Sequence, residues 1–488
     1  MKRPNILLIM TDQQRWDTLG CTGNKAAETP NLDWIASQGT LFEHAYSTCP
    51  SCIPARTSLF TGMKPWNTGI LGSGNGQGRL TGGFSHTMPG ELASAGYHAQ
   101  AVGHLHFEPQ RSLNGFHHTV LDEYAISVDR GFVSDYQQWF EQSKGGDYGM
   151  VDHGMDWNSW MARPFHAPEY LHPTNWTVNE SLRLLQRRDP SKPFFLHVSF
   201  TRPHSPYDPP SYYFDLCMNK QMPKPYIGPW SAMHDVSEDA VNPNAWRGKR
   251  GEEEIHRARA GYYGSITHID HQLGRLLSYL TREKLLSDTV IVFTSDHGDM
   301  LGDHHLWRKT YAYEGSAHIP MIVRLPPRFG TPVRSRCSHP VSLEDVMPTV
   351  LEAAGLAAPG SVDGSSMMKL MLEKEPAWRE YVHGEHCACY SEQQEMQYLT
   401  DGKRKYIWFP RLGTEQLFDL SNDPGECIDL ADRPERQAEL HLWRRRLVAE
   451  LAPRRVGLTD GEQLVCQAGM PPIISPHYQA RVARITES

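Results

Sequence analysis

Residues 47–62, STCPSCIPARTSLFTG, place two cysteines three positions apart ahead of a proline, an arginine and a helix-like run. Four readings compete. A zinc clip needs four ligands, usually two spaced pairs, and Cys387-Ala-Cys389, the other close pair, has the wrong spacing. A thioredoxin-like Cys-x-x-Cys opens a helix after a strand, but the preceding EHAYST is a weak strand. A buried structural thiol is the plainest option. The fourth reading uses the residues that follow. Pro54 suits a first helical turn, ARTSLF continues it, and Thr61-Gly62 ends it. Cys52 then sits at a helix N-terminus, where free N–H groups and the helix dipole favour anions. Arg56, about one turn on, leans back to the same spot. A nucleophile at 52 would face an anionic group.

Composition frames that reading. The chain has 488 residues, 39% hydrophobic and 10% aromatic, enough for one large domain and a smaller one. A net charge of -8, spread without long runs, argues against a basic nucleic-acid face. The 25 histidines point to site chemistry or metal ligands, with plain surface histidines as the alternative. The apolar run 6–10 is too short for a signal-peptide core, and no run reaches the length of a membrane span. The chain therefore reads as soluble and cytoplasmic, without a membrane or nucleic-acid partner. Its nine scattered cysteines read as reduced thiols.

Short apolar runs at 6–10, 194–200, 289–294 and 319–325 read as strands buried on both faces. Residues 265–286 place Ile266, Ile269, Leu273, Leu276 and Leu280 on one helical face. Residues 342–356 open with a Ser-x-x-Asp cap signal and end near Gly355. This alternation predicts an α/β fold with a large, mostly parallel mixed sheet between helices. Ligands of such sheets bind beyond the carboxyl ends of strands. Polar residues stand there: Thr11-Asp12-Gln13-Gln14, Ser295-Asp296-His297, His204 and His104-Leu105-His106. Residues 205–250, rich in Pro, Tyr and Trp, read as an excursion over the site or as packing. Residues 396–410 and 415–427 read as antiparallel strands, and 433–453 as an amphipathic helix. The boundary falls near 375, giving a catalytic domain 1–375 and a subdomain 376–488 with an antiparallel sheet, a helix and a tail. The poorly patterned tail is expected to dock on a neighbouring subunit, leaving a homo-oligomer open.

Cys52-Ile53-Pro54-Ala55-Arg56 resembles the Cys-x-Pro-x-Arg signature of the type I sulfatases, within the alkaline phosphatase superfamily. Residues 4–24, 96–107, 197–210, 266–304, 306–324 and 416–426 resemble further segments of that family, in the family's order. The resemblance implies a four-stranded sheet in the smaller domain and hydrolysis of a sulfate monoester of a sugar or aryl alcohol. It implies that Cys52 is oxidised to formylglycine (3-oxoalanine) by a formylglycine-generating or anaerobic sulfatase-maturating enzyme. The metal ligands it implies are Asp12, Gln13, Asp296, His297 and residue 52. Calcium is the ion expected first; Gln13 and His297 depart from the family's usual Asp and Asn, and because a histidine also suits manganese they leave manganese or magnesium as alternatives. By the same resemblance Arg56 stabilises the diol and developing charge, and His106 takes the proton that releases sulfate. His204 and Lys309 bind sulfate and protonate the leaving oxygen. His104 replaces a usual lysine, as a sulfate-facing cation or as a neutral hydrogen-bonding residue. Asn75 is a candidate substrate contact, against a plain turn. The closest rival activity is that of a phosphonate monoester or phosphodiester hydrolase of the same superfamily. A non-catalytic binder with unmodified Cys52 is the other alternative.

Overall fold

The computed structural model describes residues 2–72, 80–123, 131–236, 242–330, 332 and 335–487. The elements that position the site are, in chain order, β1 (Asn5–Asp12), α1 (Pro30–Ser37), β2 (Thr40–Phe42), α2 (Cys52–Thr61), α3 (Pro65–Thr68), β3 (His98–Gly103) and β4 (His118–Leu121). Then come α4 (Pro173–Gln186), β5 (Phe194–Pro203), α5 (Ser211–Met218), α6 (Glu252–Arg282), β6 (Thr289–Ser295), α7 (Glu314–Ala317), β7 (Met321–Arg324), β8 (Arg336–Cys337) and α8 (Val346–Ala353). The C-terminal part contributes β9 (Val382–His386), β10 (Met396–Thr400), β11 (Arg404–Phe409), β12 (Thr414–Asp419), α9 (Gln437–Leu451) and α10 (Pro476–Glu487).

Eight of the described strands form one sheet in the order β8-β2-β7-β6-β1-β5-β3-β4. The central pairs β1–β5, β1–β6 and β3–β5 are parallel, and β7 runs antiparallel to both β6 and β2. The sheet is thus mixed and mostly parallel, as expected. Along β1, Ile6, Leu8 and Met10 pack on one face with Ala55 and Leu59 of α2 and Val346 and Val350 of α8. Leu7 and Ile9 pack on the other face with Leu32 and Ile35 of α1 and Ile269, Leu273 and Leu276 of α6. Burying each of these side chains larger than alanine contributes about 1.5–3 kcal/mol. With both faces covered, β1 reads as an unbroken apolar run, and its first polar residues fall where the strand leaves the sheet.

Several expectations are corrected. The run 319–325 is not one strand. It breaks at Pro320, whose missing N–H cannot join a ladder, and β7 is antiparallel. The helix expected from 265 starts at Glu252, because Glu254 accepts a hydrogen bond from the Gly251 N–H and closes the N-terminus there. Residues 415–427 hold one strand, β12. The tail, expected to dock on a neighbouring subunit, makes contacts within its own chain. Its helix α10 lies on its own chain, where Arg481 Nη1 donates to the Thr68 carbonyl at 2.8 Å and Ser475 Oγ donates to Asn67 Oδ1 at 2.8 Å. The smaller sheet has the order β9-β10-β11-β12, antiparallel throughout. Among the described residues no helix is long and apolar enough to cross a membrane.

Candidate active site

The carboxyl ends of β1, β3, β5 and β6 and the N-terminus of α2 deliver the site. Asp12 ends β1, Asp296 and His297 follow β6, His104 and His106 follow β3, and His204 follows β5. Cys52 is the first residue of α2, and Gly62 closes that helix in the left-handed conformation (φ 66°). Ser51, which precedes the helix, shares a 2.8 Å hydrogen bond with His386 Nε2 of β9, so the smaller sheet braces the start of α2.

Around Cys52 the ligand-type atoms converge. Its Sγ lies 3.7 Å from Asp12 Oδ1, 3.2 Å from His297 Nε2 and 3.0 Å from Lys309 Nζ. His297 Nε2 is 3.6 Å from both Asp12 Oδ1 and Asp296 Oδ1. Its Nδ1 is 2.8 Å from the Gly298 carbonyl, a contact that fixes the Nδ1–H tautomer and turns the Nε2 lone pair to the cluster. One ligand atom from each of Asp12, Cys52, Asp296 and His297 lies within 4.8 Å of all the others. Adjacent ligands of an octahedral cation with bonds of about 2.4 Å are about 3.4 Å apart, so this spacing fits a divalent ion. Gln13 suits the same set. Its Nε2 donates to Asp299 Oδ2 at 2.6 Å, while its buried Oε1 has no hydrogen-bond partner.

Arg56 is fully buried and ties the cluster together. Nε donates to Asp296 Oδ2 at 3.0 Å, Nη2 to Asp12 Oδ2 at 3.1 Å, and Nη1 to Ser199 Oγ at 2.9 Å and to the His104 carbonyl. Lys309 Nζ donates to His204 Nε2 at 2.8 Å, and the His204 ring stacks on Trp157 with centroids 4.8 Å apart. His104 Nδ1 sits 3.0 Å from Glu123 Oε2, and its Nε2 sits 3.5 Å from Asp12 Oδ2. Neither ring nitrogen of His106 has a partner. Cys52, His106 and Lys309 keep 4%, 6% and 8% of their surface exposed while Arg56, Asp12 and Asp296 keep none, so access is from their side.

Charge follows the geometry. Burial opposes ionisation of Asp12, yet the neighbouring cations, Lys309 and Arg56 among them, hold its pKa well below the ordinary range. Burial, His104 and Arg56 push His106 well down, leaving it neutral and able to accept a proton. Burial and Lys309 do the same to His204. Burial works against a charged His104, but Glu123 outweighs it and raises the pKa. Burial and Asp12 push the Cys52 thiol up despite Lys309, so the plain thiol is a poor nucleophile. Asp12 and Asp296 balance Arg56 and Lys309, and a bound divalent ion leaves this group net positive, suited to an anionic ester.

Backbone conformation is unusual here. Gln13 (φ 71°), His106 (φ 57°), Arg308 (φ 67°) and Thr310 (φ 83°) occupy left-handed regions that non-glycine residues rarely adopt, a mark of functional segments. Gly103 (φ 104°) is needed before His104, because a Cβ there would meet the Ser199 carbonyl at 1.8 Å.

All the site residues drawn from the sequence converge except Asn75, which lies outside the described residues. Residues 205–236 and 242–250 pack chiefly against α6 and the 300–307 loop, with Trp230 against His304 and Tyr313 and Trp246 stacked on Tyr390. None of the nine cysteines forms a disulfide, and Cys49, Cys387 and Cys389 do not gather into a metal-ligating group among the described residues. Sequence reasoning misses Glu123 and Asp299. Glu123 follows β4, so the strand-end rule could have found it. Asp299 lies two residues beyond His297, and it accepts from Gln13 and from Tyr207 Oη at 2.5 Å.

The family model Sulfatase matches residues 4–356, and the model for the C-terminal part of N-sulphoglucosamine sulphohydrolase matches 302–452. An arylsulfatase of Clostridium perfringens is 42% identical over 474 residues, covering 95% of this chain and 97% of the relative. Among solved structures, the phosphonate monoester hydrolase of Agrobacterium radiobacter superposes with a TM-score of 0.77 at 24% identity, covering 96% of this chain and 100% of that one. BT4656, solved with its substrate D-glucosamine-2-N,6-O-disulfate, superposes with a TM-score of 0.73 at 21% identity, covering 92% and 98%. At these identities the two structures speak for the fold. The chain belongs to the sulfatase family of the alkaline phosphatase superfamily and is a sulfatase, a hydrolase of sulfate esters.

Proposed function

We propose that this sulfatase works through formylglycine made from Cys52, with one divalent cation, calcium first, held by Asp12, Gln13, Asp296, His297 and residue 52. The observation that carries the reading is the convergence of these side chains at the start of α2, with Arg56 binding both carboxylates from behind. A separate maturating enzyme oxidises Cys52. When bound, the cation supplies Lewis-acid activation of an attacking oxygen at residue 52. Hydrated formylglycine supplies that oxygen, together with a second hydroxyl whose proton is lost as sulfate departs.

The other roles belong to this chain's own side chains. Arg56 orients Asp12 and Asp296 and sets a fixed positive charge beside residue 52. Lys309 and His204, hydrogen-bonded to each other, bind the ester's sulfate, and Lys309 supplies the proton for the departing alcohol. His106, kept neutral, takes the proton from the second hydroxyl. His104, supported by Glu123, faces the sulfate as a cation. Asn75 is a further substrate contact. The alcohol part is a sugar or aryl group, with Trp157 and Tyr390 near Lys309 as stacking surfaces. The division at 375/376 separates this machinery from the smaller sheet that braces Ser51.

The test is the intact mass of the peptide spanning residue 52 after co-expression with a maturating enzyme. The expected loss is the difference between a thiol and an aldehyde, and an unchanged thiol in an active preparation overturns the reading. The Asp296-His297 pair favours one second reading, a phosphonate monoester or phosphodiester hydrolase. On kcat/KM, aryl and sugar sulfates are expected to exceed an aryl phosphonate ester, and an advantage of orders of magnitude for the phosphonate would reverse the preference.

A further inference from the structure

We infer that Asp12, His104 and His106 form a second divalent-cation site, adjoining the first and selective for an imidazole-preferring ion such as zinc. One ligand atom from each lies within 4.8 Å of the others, and all three side chains are buried. The two oxygens of Asp12 face different ways. Oδ1 lies toward Cys52 and His297, whereas Oδ2 lies 3.5 Å from His104 Nε2. Tetrahedral zinc ligands at bonds of about 2.1 Å are about 3.4 Å apart, so the Asp12–His104 spacing is that of two ligands of one ion.

Three further observations point to a ligand. His104 Nε2 and both ring nitrogens of His106 are buried without a hydrogen-bond partner. Buried polar atoms are normally satisfied, and these three lie on neighbouring rings whose centroids are 4.0 Å apart. Glu123 Oε2 holds His104 Nδ1 at 3.0 Å, the carboxylate–histidine arrangement that supports a metal-binding imidazole, and leaves Nε2 as the ligand atom. The other oxygen of Glu123 accepts the backbone N–H groups of Leu105 and His106, so a single carboxylate sets both histidines.

Arg56, 3.1 Å from Asp12 Oδ2, opposes a second cation there, and the negative charge of Glu123 offsets it from behind the ring. Two imidazoles and one carboxylate suit zinc, nickel or cobalt better than calcium or magnesium. Occupancy has a chemical consequence, because an ion on His106 takes a lone pair that catalysis uses to accept a proton. The site is therefore inhibitory. This consequence rests on the proton-accepting role proposed for His106, whereas the ion binding does not.

The test uses the Cys52→Ala protein, whose lack of thiol and of formylglycine separates binding from maturation and turnover. Equilibrium dialysis against zinc followed by metal analysis is expected to show two ions per chain. The single variants His106→Asn and His104→Lys, made in that background, should each keep one. Glu123→Gln should weaken the second ion by about 10–100-fold without moving the first. One ion in the Cys52→Ala parent overturns the site, as does a second ion that persists in both histidine variants. In the mature, calcium-loaded sulfatase, zinc at the concentration that fills the second site should lower turnover by about 10²-fold or more, reversibly on chelation and calcium repletion. Unchanged turnover at that occupancy overturns the inhibitory role and leaves the sulfatase reading intact.

Discussion

Among the described residues two of the buried charge clusters invite comparison, one at the seam between the two sheets and one at the candidate active site. At the seam between the two sheets, Lys405 of β11 donates to Glu314 Oε1 at 2.6 Å and to the Ala312 carbonyl at 2.7 Å, and lies 3.2 Å from Glu426 Oε1. Glu314 Oε2 lies 2.5 Å from His318 Nδ1, and Glu426 Oε2 accepts the Glu314 N–H at 2.7 Å. Every carboxylate oxygen there has a donor or cation at hand. At the end of β1 the burial is as deep, yet Gln13 Oε1, His104 Nε2 and both His106 nitrogens have no protein partner. In the seam cluster Lys405, Glu314 and His318 are hydrogen-bonded in a chain, and Glu426 Oε1, which no hydrogen bond reaches, is left with the Lys405 charge at 3.2 Å. The other cluster is complete only with groups the chain does not supply. The difference lies in what surrounds the unsatisfied atoms: at the seam a lone carboxylate oxygen, Glu426 Oε1, faces the Lys405 ammonium, whereas at the end of β1 several such atoms gather at one place.

The largest expected effect breaks the catalytic cluster alone. Cys52→Ala should lower kcat/KM on a sulfate ester by about 10⁴-fold or more while urea denaturation shows stability within about 1 kcal/mol of the parent. Residual turnover near the parent's would remove residue 52 from the chemistry. The mirror experiment is Lys405→Met, which leaves Glu314 and Glu426 buried without their cation. It should cost about 3–5 kcal/mol in urea denaturation, with kcat per folded molecule kept within a few-fold. A large loss of kcat there would show that the seam reaches the site.

Removing divalent ions with a chelator comes next. At calcium about 100 times its dissociation constant, bound ion contributes about 2.7 kcal/mol, so chelation should lower stability by that amount and calcium should restore it. Because the clusters share no ligand, the loss should be the same in Lys405→Met. A markedly different loss would mean the clusters are coupled.

The smallest effect is a pH dependence at the seam. Burial, only partly offset by Lys405, raises the Glu426 carboxyl from 4.5 to about 7. Below 4.5 folded and unfolded chains both carry this proton. Between about 4.5 and 7 the folded chain alone holds it, so its contribution to stability is lost as pH rises through that window and is gone above 7. Glu426→Gln removes this titration. The parent's stability should therefore fall relative to the variant's by about 1–3 kcal/mol between pH 4.5 and 7.5, and a rise would reverse the sign.

Much of the fold and of the catalytic cluster is legible in the amino-acid sequence. Apolar runs ending in Asp12, Asp296 and His204 announce parallel strands with chemistry at their carboxyl ends, because a strand covered on both faces admits polar residues only where it leaves the sheet. Pro54 and Gly62 bound α2 by local backbone preference alone. The bond of Ser51 to His386, the pairing of His104 with Glu123, and the docking of α10 on α3 are not legible there. Each joins segments that no periodicity links, 335 residues apart in the first case.

The sequence by itself determined the strand–helix alternation, the placement of Cys52 at a helix start and the family, since these rest on short-range preferences and on motifs contiguous in the chain. Only the tertiary structure decided which oxygen of Asp12 faces which group, that His106 is held neutral while His104 is pushed toward charge, and that Lys405 is satisfied where the histidines of the candidate site are not. Those properties depend on distances of a few ångströms between remote side chains in a medium that screens little, and folding alone sets them.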